Sequence, residues 1–142
     1  MEDRISFFNE DIEFILKKKK TYKNWIFALI ETQQGYLKEI NFVFCSDKYL
    51  HQLNVAYLSH DTLTDIITFP YEHFPNVAAD IFISIERVKE NALDFKLDFE
   101  IELVRVMAHG ILHLCGYGDK NEQEKAIMRS KENEAIKLFG NF

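Results

Sequence analysis

At 142 residues, 47% of them hydrophobic and 13 of them Phe, the chain has the size and composition of one globular domain with a substantial core, which excludes a disordered segment. A net charge of −6 opposes non-specific binding to nucleic acid, so any RNA contact must come from a local basic patch or a bound metal. No stretch approaches the roughly 18 apolar residues of a membrane span. Met1-Glu2-Asp3-Arg4 lacks the basic start and apolar run of a signal peptide. The two cysteines, Cys45 and Cys115, have neither metal nor redox spacing and suit a reducing compartment. A cytoplasmic protein without membrane contact is expected.

Arg4 to Phe8 reads as a short strand, with polar–apolar alternation continuing through Asp11-Ile12-Glu13-Phe14. The basic cluster Lys17 to Lys20 with Lys23 reads as a solvated turn before a helix in preference to an RNA-binding patch. Tyr22, Trp25, Ile26, Leu29 and Ile30 then follow helical spacing, with Thr21 as N-cap and Gly35 as stop. Glu39 to Cys45 alternates as a strand, and Ser46 caps a helix whose buried stripe is Leu50, Leu53 and Tyr57. A polar connection, Ser59 to Leu63, leads to a strand from Thr64 to Phe69 ended by Pro70. After a loop from Tyr71 to Ala79, Asp80 to Ser84 forms another strand. Ser84 caps a helix on Ile85, Val88, Ala92 and Phe95. A further helix runs from about Asp98 to Cys115, and Asn121 with Glu124 resembles a capping box for a mostly polar last helix to about Phe139. This order predicts a single α/β (α+β) domain, with a mixed β-sheet of about four strands packed with about five helices.

The chemistry concentrates in His109-Gly110-Ile111-Leu112-His113-Leu114-Cys115-Gly116-Tyr117-Gly118-Asp119, at the end of the C-terminal apolar helix. Residues i and i+4 differ by only about 40° in azimuth, so both imidazoles leave one helix face and can converge on one ion. Gly116 offers a left-handed exit, and Asp119 can turn back toward the pair. Two imidazoles, a carboxylate and an open position make a zinc shell of the catalytic type. Such histidine pairs also occur as carbonyl caps or satisfied core residues. The glycine break, the carboxylate and the apolar run from Leu103 to Ala108, which buries rings that then need partners, favour the metal. Cys115 lies about 200° round the helix from His113 and points away. Zinc peptidases of this spacing carry Glu after the first histidine as general base; Gly110 stands there, so peptide hydrolysis by that route is disfavoured.

The same stretch resembles the H-G-x-L-H-L-x-G-Y-D-H motif of the YbeY family, bacterial metal-dependent endoribonucleases of ribosome maturation. His109, Gly110, Leu112, His113, Leu114, Gly116 and Tyr117 match it, while Gly118-Asp119 replaces the terminal Asp-His. The family's third zinc histidine therefore falls on Asp119. The segment from Asp61 to Phe69 is similar to the family's D-x-P-T-D/N-V-L-S-F, with Leu63 where proline is usual, and Ala79-Asp80-Ile81 is similar to its G-D-I element. The family often carries arginine three residues before that first aspartate, where its planar fork would suit phosphate; here the residue is Leu58. His60 is a candidate for part of that contact, although it reads first as an ordinary loop histidine.

The resemblance implies a zinc-dependent endoribonuclease that cuts single-stranded ribosomal RNA in 16S 3′-end maturation and ribosome quality control. Ribosomal or small-subunit assembly factors are the implied partners. Zinc would polarise a phosphoryl oxygen and bring the pKa of a bound water toward about 7. Attack by that water and by the RNA's own 2′-hydroxyl are both open. Asp65 and Asp80, each at the start of a predicted strand, read equally as turn formers and as residues that orient the attacking water or a zinc histidine. Thr64 and Tyr117 are weaker candidates, as packing or turn residues in the first instance. Two other readings remain: a metallopeptidase of the His-x-x-x-His type, and a non-catalytic assembly factor whose zinc staples the helix to the loop at Asp119.

Overall fold

A computed structural model describes residues 4–58 and 64–142. The elements run β1 (Ile5–Asn9), α1 (Lys19–Thr32), β2 (Tyr36–Cys45), α2 (Asp47–Leu58), β3 (Ile66–Pro70), β4 (Asn76–Ser84), α3 (Ile85–Phe95), α4 (Phe99–Leu114) and α5 (Glu122–Phe139). The four strands form one sheet in the order β1-β2-β4-β3. β1 pairs with β2 and β2 with β4 in parallel, whereas β3 is antiparallel to β4. The domain is thus mixed α/β, as the order of elements predicts.

The period of two along the strands decides which face meets the helices. Ile40, Phe42 and Phe44 of β2 and Ala79, Ile81 and Ile83 of β4 are buried in one core with α1, α4, α5 and the start of α3. The other face carries Cys45 and Ile67, with Phe69 and Phe82, and is covered in part by Leu50, Tyr49 and Leu53 of α2. Trp25 of α1 is fully buried, donates Nε1 to the Ala135 carbonyl of α5 at 2.9 Å and stands edge-on to Phe139. That bond ties the first helix to the last.

Several sequence expectations shift. α1 starts at Lys19, after a left-handed Lys18, so Thr21 lies inside the helix and is not its cap. Burial of Tyr22 and Trp25 outweighs the unfavourable lysines at the positive helix end. α1 ends at Thr32, and the left-handed residue of its exit is Gln34; at Gly35 space is tight, since a Cβ there would stand 3.1 Å from Ile30 Cγ2. The alternating segment from Asp11 to Phe14 follows β1 as irregular chain. There Asp11 accepts hydrogen bonds from the backbone and hydroxyl of Ser46, and Phe14 packs edge-on against Phe44 and Phe99. Tyr57 and Phe95, read as buried, are 69% and 57% exposed: the second sheet face is only partly covered, and α3 ends as it leaves the core. β4 begins at Asn76, four residues before the expected start, because Asn76 to Ala79 pair with the first half of β2. Ser84 and Asn121 do cap α3 and α5, accepting from the backbone N–H groups of Arg87 and Glu124.

Trp25→Ala should lower stability by about 3–5 kcal/mol through cavity formation, with loss of the Ala135 bond included in the effect. Urea unfolding followed by circular dichroism measures this, because Trp25 is the chain's single tryptophan. A loss under about 1 kcal/mol would show that α1 and α5 are held together elsewhere.

Candidate metal centre

α4 is apolar because it lies between the sheet and α5; Leu103, Val104, Val106, Met107, Ala108, Ile111 and Leu112 are all buried. Gly110 lets it approach the sheet. A Cβ at Gly110 would stand 2.7 Å from Ile66 Cδ1 and 3.3 Å from Thr68 Cγ2. The helix ends in a Schellman motif, with Gly116 N–H on the His113 carbonyl at 3.0 Å and Tyr117 N–H on the Leu112 carbonyl at 3.1 Å. Gly116 holds φ = 100°, which a Cβ would strain, and this reversal brings Asp119 back over the last turn.

The two histidines present Nε2 to each other at 3.0 Å, with their rings nearly perpendicular. Asp119 Oδ2 lies 3.3 Å from His109 Nε2 and 3.2 Å from His113 Nε2. Ligands of a tetrahedral zinc stand roughly 3.3–3.5 Å apart, so these donors sit within a few tenths of an ångström of a shared coordination shell. His109, His113 and Asp119 form a group that could hold a metal ion. All three are partly exposed, which leaves one side open to a further ligand.

Behind this group stands a residue that the sequence reading missed. Glu132 of α5 accepts from His109 Nδ1 at 2.6 Å, which places the ring proton on Nδ1 and directs the Nε2 lone pair at the cluster. Glu132 also meets Arg105 Nη1 at 3.3 Å, and Arg105 forms a bidentate pair with Glu102. Glu102 and Glu132 are 0% and 3% exposed. Two buried carboxylates thus share one half-buried guanidinium, with Arg129 only at the exposed margin, 3.8 Å from Glu132. The surplus negative charge faces His109 and favours a cation there. Burial alone would disfavour the imidazolium, but the Glu132 hydrogen bond and the charges of Glu132, Asp119 and Asp65 prevail and raise the His109 pKa. For Glu132 burial acts upward, and the partners His109 and Arg105 bring its pKa below the usual carboxylate value. A signal for Glu132 was present: Met128, Glu132 and Ala135 form the buried stripe of an otherwise polar helix.

The remaining candidates lie outside this cluster. Asp65 precedes β3, its carbonyl accepts from Ser84 N–H, and its carboxylate reaches Asn91 at 3.4 Å while acting on His109 through its charge. Asp80 is in the middle of β4 and not at a strand start. There the period of two turns it to the face opposite Ile81, where it accepts from Tyr71 Oη and from Asn41 Nδ2 at 3.0 Å. Thr64 Oγ1 donates to the Ile66 carbonyl, and Tyr117 Oη donates to Gln33 Oε1 at 2.8 Å. His60 and the segment from Asp61 to Leu63 lie outside the described residues, and of Leu58 only the helical backbone is described. A cleft of about 370 Å³ opens beside His113, bordered by Thr68, Pro70, His73, Phe74 and Gly116.

A mixed sheet carrying a helix-borne His-x-x-x-His pair closed by a carboxylate defines an α/β protein with a candidate hydrolytic metal centre. The family model described as Endoribonuclease YbeY matches residues 4–140. The chain is 51% identical over 132 residues to an endoribonuclease YbeY of Flavobacterium johnsoniae, covering 93% of this chain and 95% of that protein. It is 50% identical over 135 residues to one of Christiangramia forsetii, covering 95% and 94%. A solution structure of a Thermotoga maritima protein aligns with a TM-score of 0.65 and 30% identity over 95% of this chain and 88% of that one. The chain belongs to the YbeY family, and its class is that of a hydrolase of the endoribonuclease type.

Two substitutions probe the site. Glu132→Gln keeps the size of the side chain but removes the charge behind His109, and should weaken metal affinity by about tenfold or more in competition with a chromophoric chelator. Unchanged affinity would deny Glu132 an orienting role. Gly110→Glu should unfold or destabilise the protein by about 3 kcal/mol or more in thermal melts, since the carboxylate would enter the apolar seam against Ile66 and Ile81. A stable Gly110→Glu protein that hydrolyses peptides would reverse this view of the seam.

Proposed function

We propose that this protein is a zinc-dependent endoribonuclease specific for single-stranded RNA, acting in 16S ribosomal RNA 3′-end maturation and ribosome quality control. The observation that carries the reading is the convergence of His109 Nε2, His113 Nε2 and Asp119 Oδ2, with His109 oriented by Glu132, in a chain of the YbeY family. Two imidazole nitrogens and a carboxylate oxygen are a donor set that suits zinc. Bound there, zinc supplies Lewis-acid stabilisation of charge on a phosphoryl oxygen. The protein's own contribution is placement. Glu132 fixes the His109 tautomer, the Schellman turn presents Asp119, and Asp65 adds negative potential near His109.

The chain's acidity points to delivery onto ribosomal RNA by ribosomal or small-subunit assembly factors. Among the described residues no helix is long and apolar enough to cross a membrane. Cys45 and Cys115 are buried and free, with burial raising their thiols to about 12 and about 11, which suits a reducing cytoplasm. The metallopeptidase alternative is weakened by Gly110, whose Cβ direction leads into the sheet and away from the open side of the cluster.

Cleavage of single-stranded RNA by the zinc-loaded protein should stop on chelation and return with zinc. Asp119→Asn, which substitutes a weak neutral ligand, should lower zinc retention by at least tenfold, whereas Asp119→His should keep the metal. RNA cleavage that survives full chelation would sink the metal-dependent reading. Loss of folding on chelation with no RNA cleavage at any stage would leave zinc as a structural staple.

A further inference from the structure

A second cleft is larger than the one at the histidines. It opens at the N-terminal ends of the three parallel strands, beside the end of α1, with a volume of about 850 Å³. Arg4, Lys38, Tyr36, Gln34 and Asn76 border it, and Glu31 is its one acidic member. In a chain of net charge −6, this wall carries two cations against one carboxylate. We propose that this cleft binds a nucleotide of the RNA strand flanking the cleavage site, with phosphate on Arg4 and Lys38 and a base against Tyr36. The proposal rests on the ribonuclease reading.

Each of these residues is placed by backbone features. Leu37 and Ile40 are both buried although three residues apart, which an unbroken strand forbids. A β-bulge between Leu37 and Glu39 resolves the conflict, leaving Lys38 as the unpaired residue of β2 and re-aiming it at the cleft. Arg4 Nη1 donates to the Leu37 carbonyl at 3.3 Å and is thereby held beside the same bulge. A guanidinium has five N–H donors, so this bond leaves capacity for phosphate. Tyr36 is 66% exposed, yet its backbone is fixed by N–H donation to the Pro75 carbonyl at 2.7 Å. An exposed ring on a fixed backbone is the type of platform on which single-stranded bases stack, and it tolerates any base.

The two clefts adjoin. Gly35 borders the larger one, and a Cβ on it would stand 3.3 Å from Phe74 Cε1; Phe74 also borders the smaller cleft with His113. A strand lying across Phe74 therefore passes from the histidines to Tyr36.

The test uses zinc-loaded protein and two single-stranded RNAs that share one cleavage site. One is trimmed to the few nucleotides around the scissile bond, and the other is extended on both sides. For the extended RNA, Lys38→Glu and Tyr36→Ala should each raise KM about tenfold with kcat unchanged, and Tyr36→Phe should restore it. Arg4→Ala should lower the slope of log KM against log salt by about 0.7, the value of one phosphate contact on a single strand. For the trimmed RNA none of these variants should differ from the parent. Equal KM for parent and variants on the extended RNA, or an equal loss on both RNAs, overturns the proposal while leaving the ribonuclease reading in place. A parent protein that cuts neither RNA overturns that reading and this inference with it.

Discussion

The partly buried chain Glu102–Arg105–Glu132–His109 is the interaction on which the rest of the site depends. Buried carboxylates are costly unless each is paired and hydrogen-bonded. Here the cost is met by one guanidinium and by an imidazole that must point its remaining nitrogen outward. Structure and chemistry are therefore coupled through a single residue. One of the contacts between α5 and α4 is also the contact that sets the His109 tautomer. Removing Arg105 leaves two buried carboxylates without their shared cation, so the network favours one arrangement of the two helices.

The sheet contributes a second constraint. β3 runs antiparallel to its neighbour at an edge of the sheet, and α4 crosses close above it only because residue 110 has no side chain. A His-x-x-x-His pair on a helix so near a sheet can admit ligands from one side only. The glycine that excludes a peptidase's general base also sets the depth of the helix. The absent catalytic group and the tight packing have one cause.

Features set by local chemistry could be read before the structure was known. The i, i+4 histidines, the left-handed exit at Gly116 and the caps at Ser84 and Asn121 depend on spacing within a few residues, and each is found where expected. Features set by docking left at most a spacing in the sequence, and their roles were not legible. Glu132 lies 23 residues from His109, and its role exists only once α5 packs on α4. Asp80 looked like a strand start because pairing with β2, invisible in sequence, extends β4 backwards through the presumed loop. Tyr57 and Phe95 keep helical spacing, but no partner face covers them fully. In each case a periodic pattern identified the element, and the neighbour decided what the residue does.

The order of synthesis gives the His109–Glu132 bond a temporal meaning. Chains grow from the N-terminus, so both histidines and Asp119 are made before the carboxylate that orients them. While α5 is still incomplete, His109 has no fixed tautomer and Arg105 faces Glu102 alone. The centre reaches its final geometry only when the last helix closes on the domain, which makes completion of folding the step that sets the ligands.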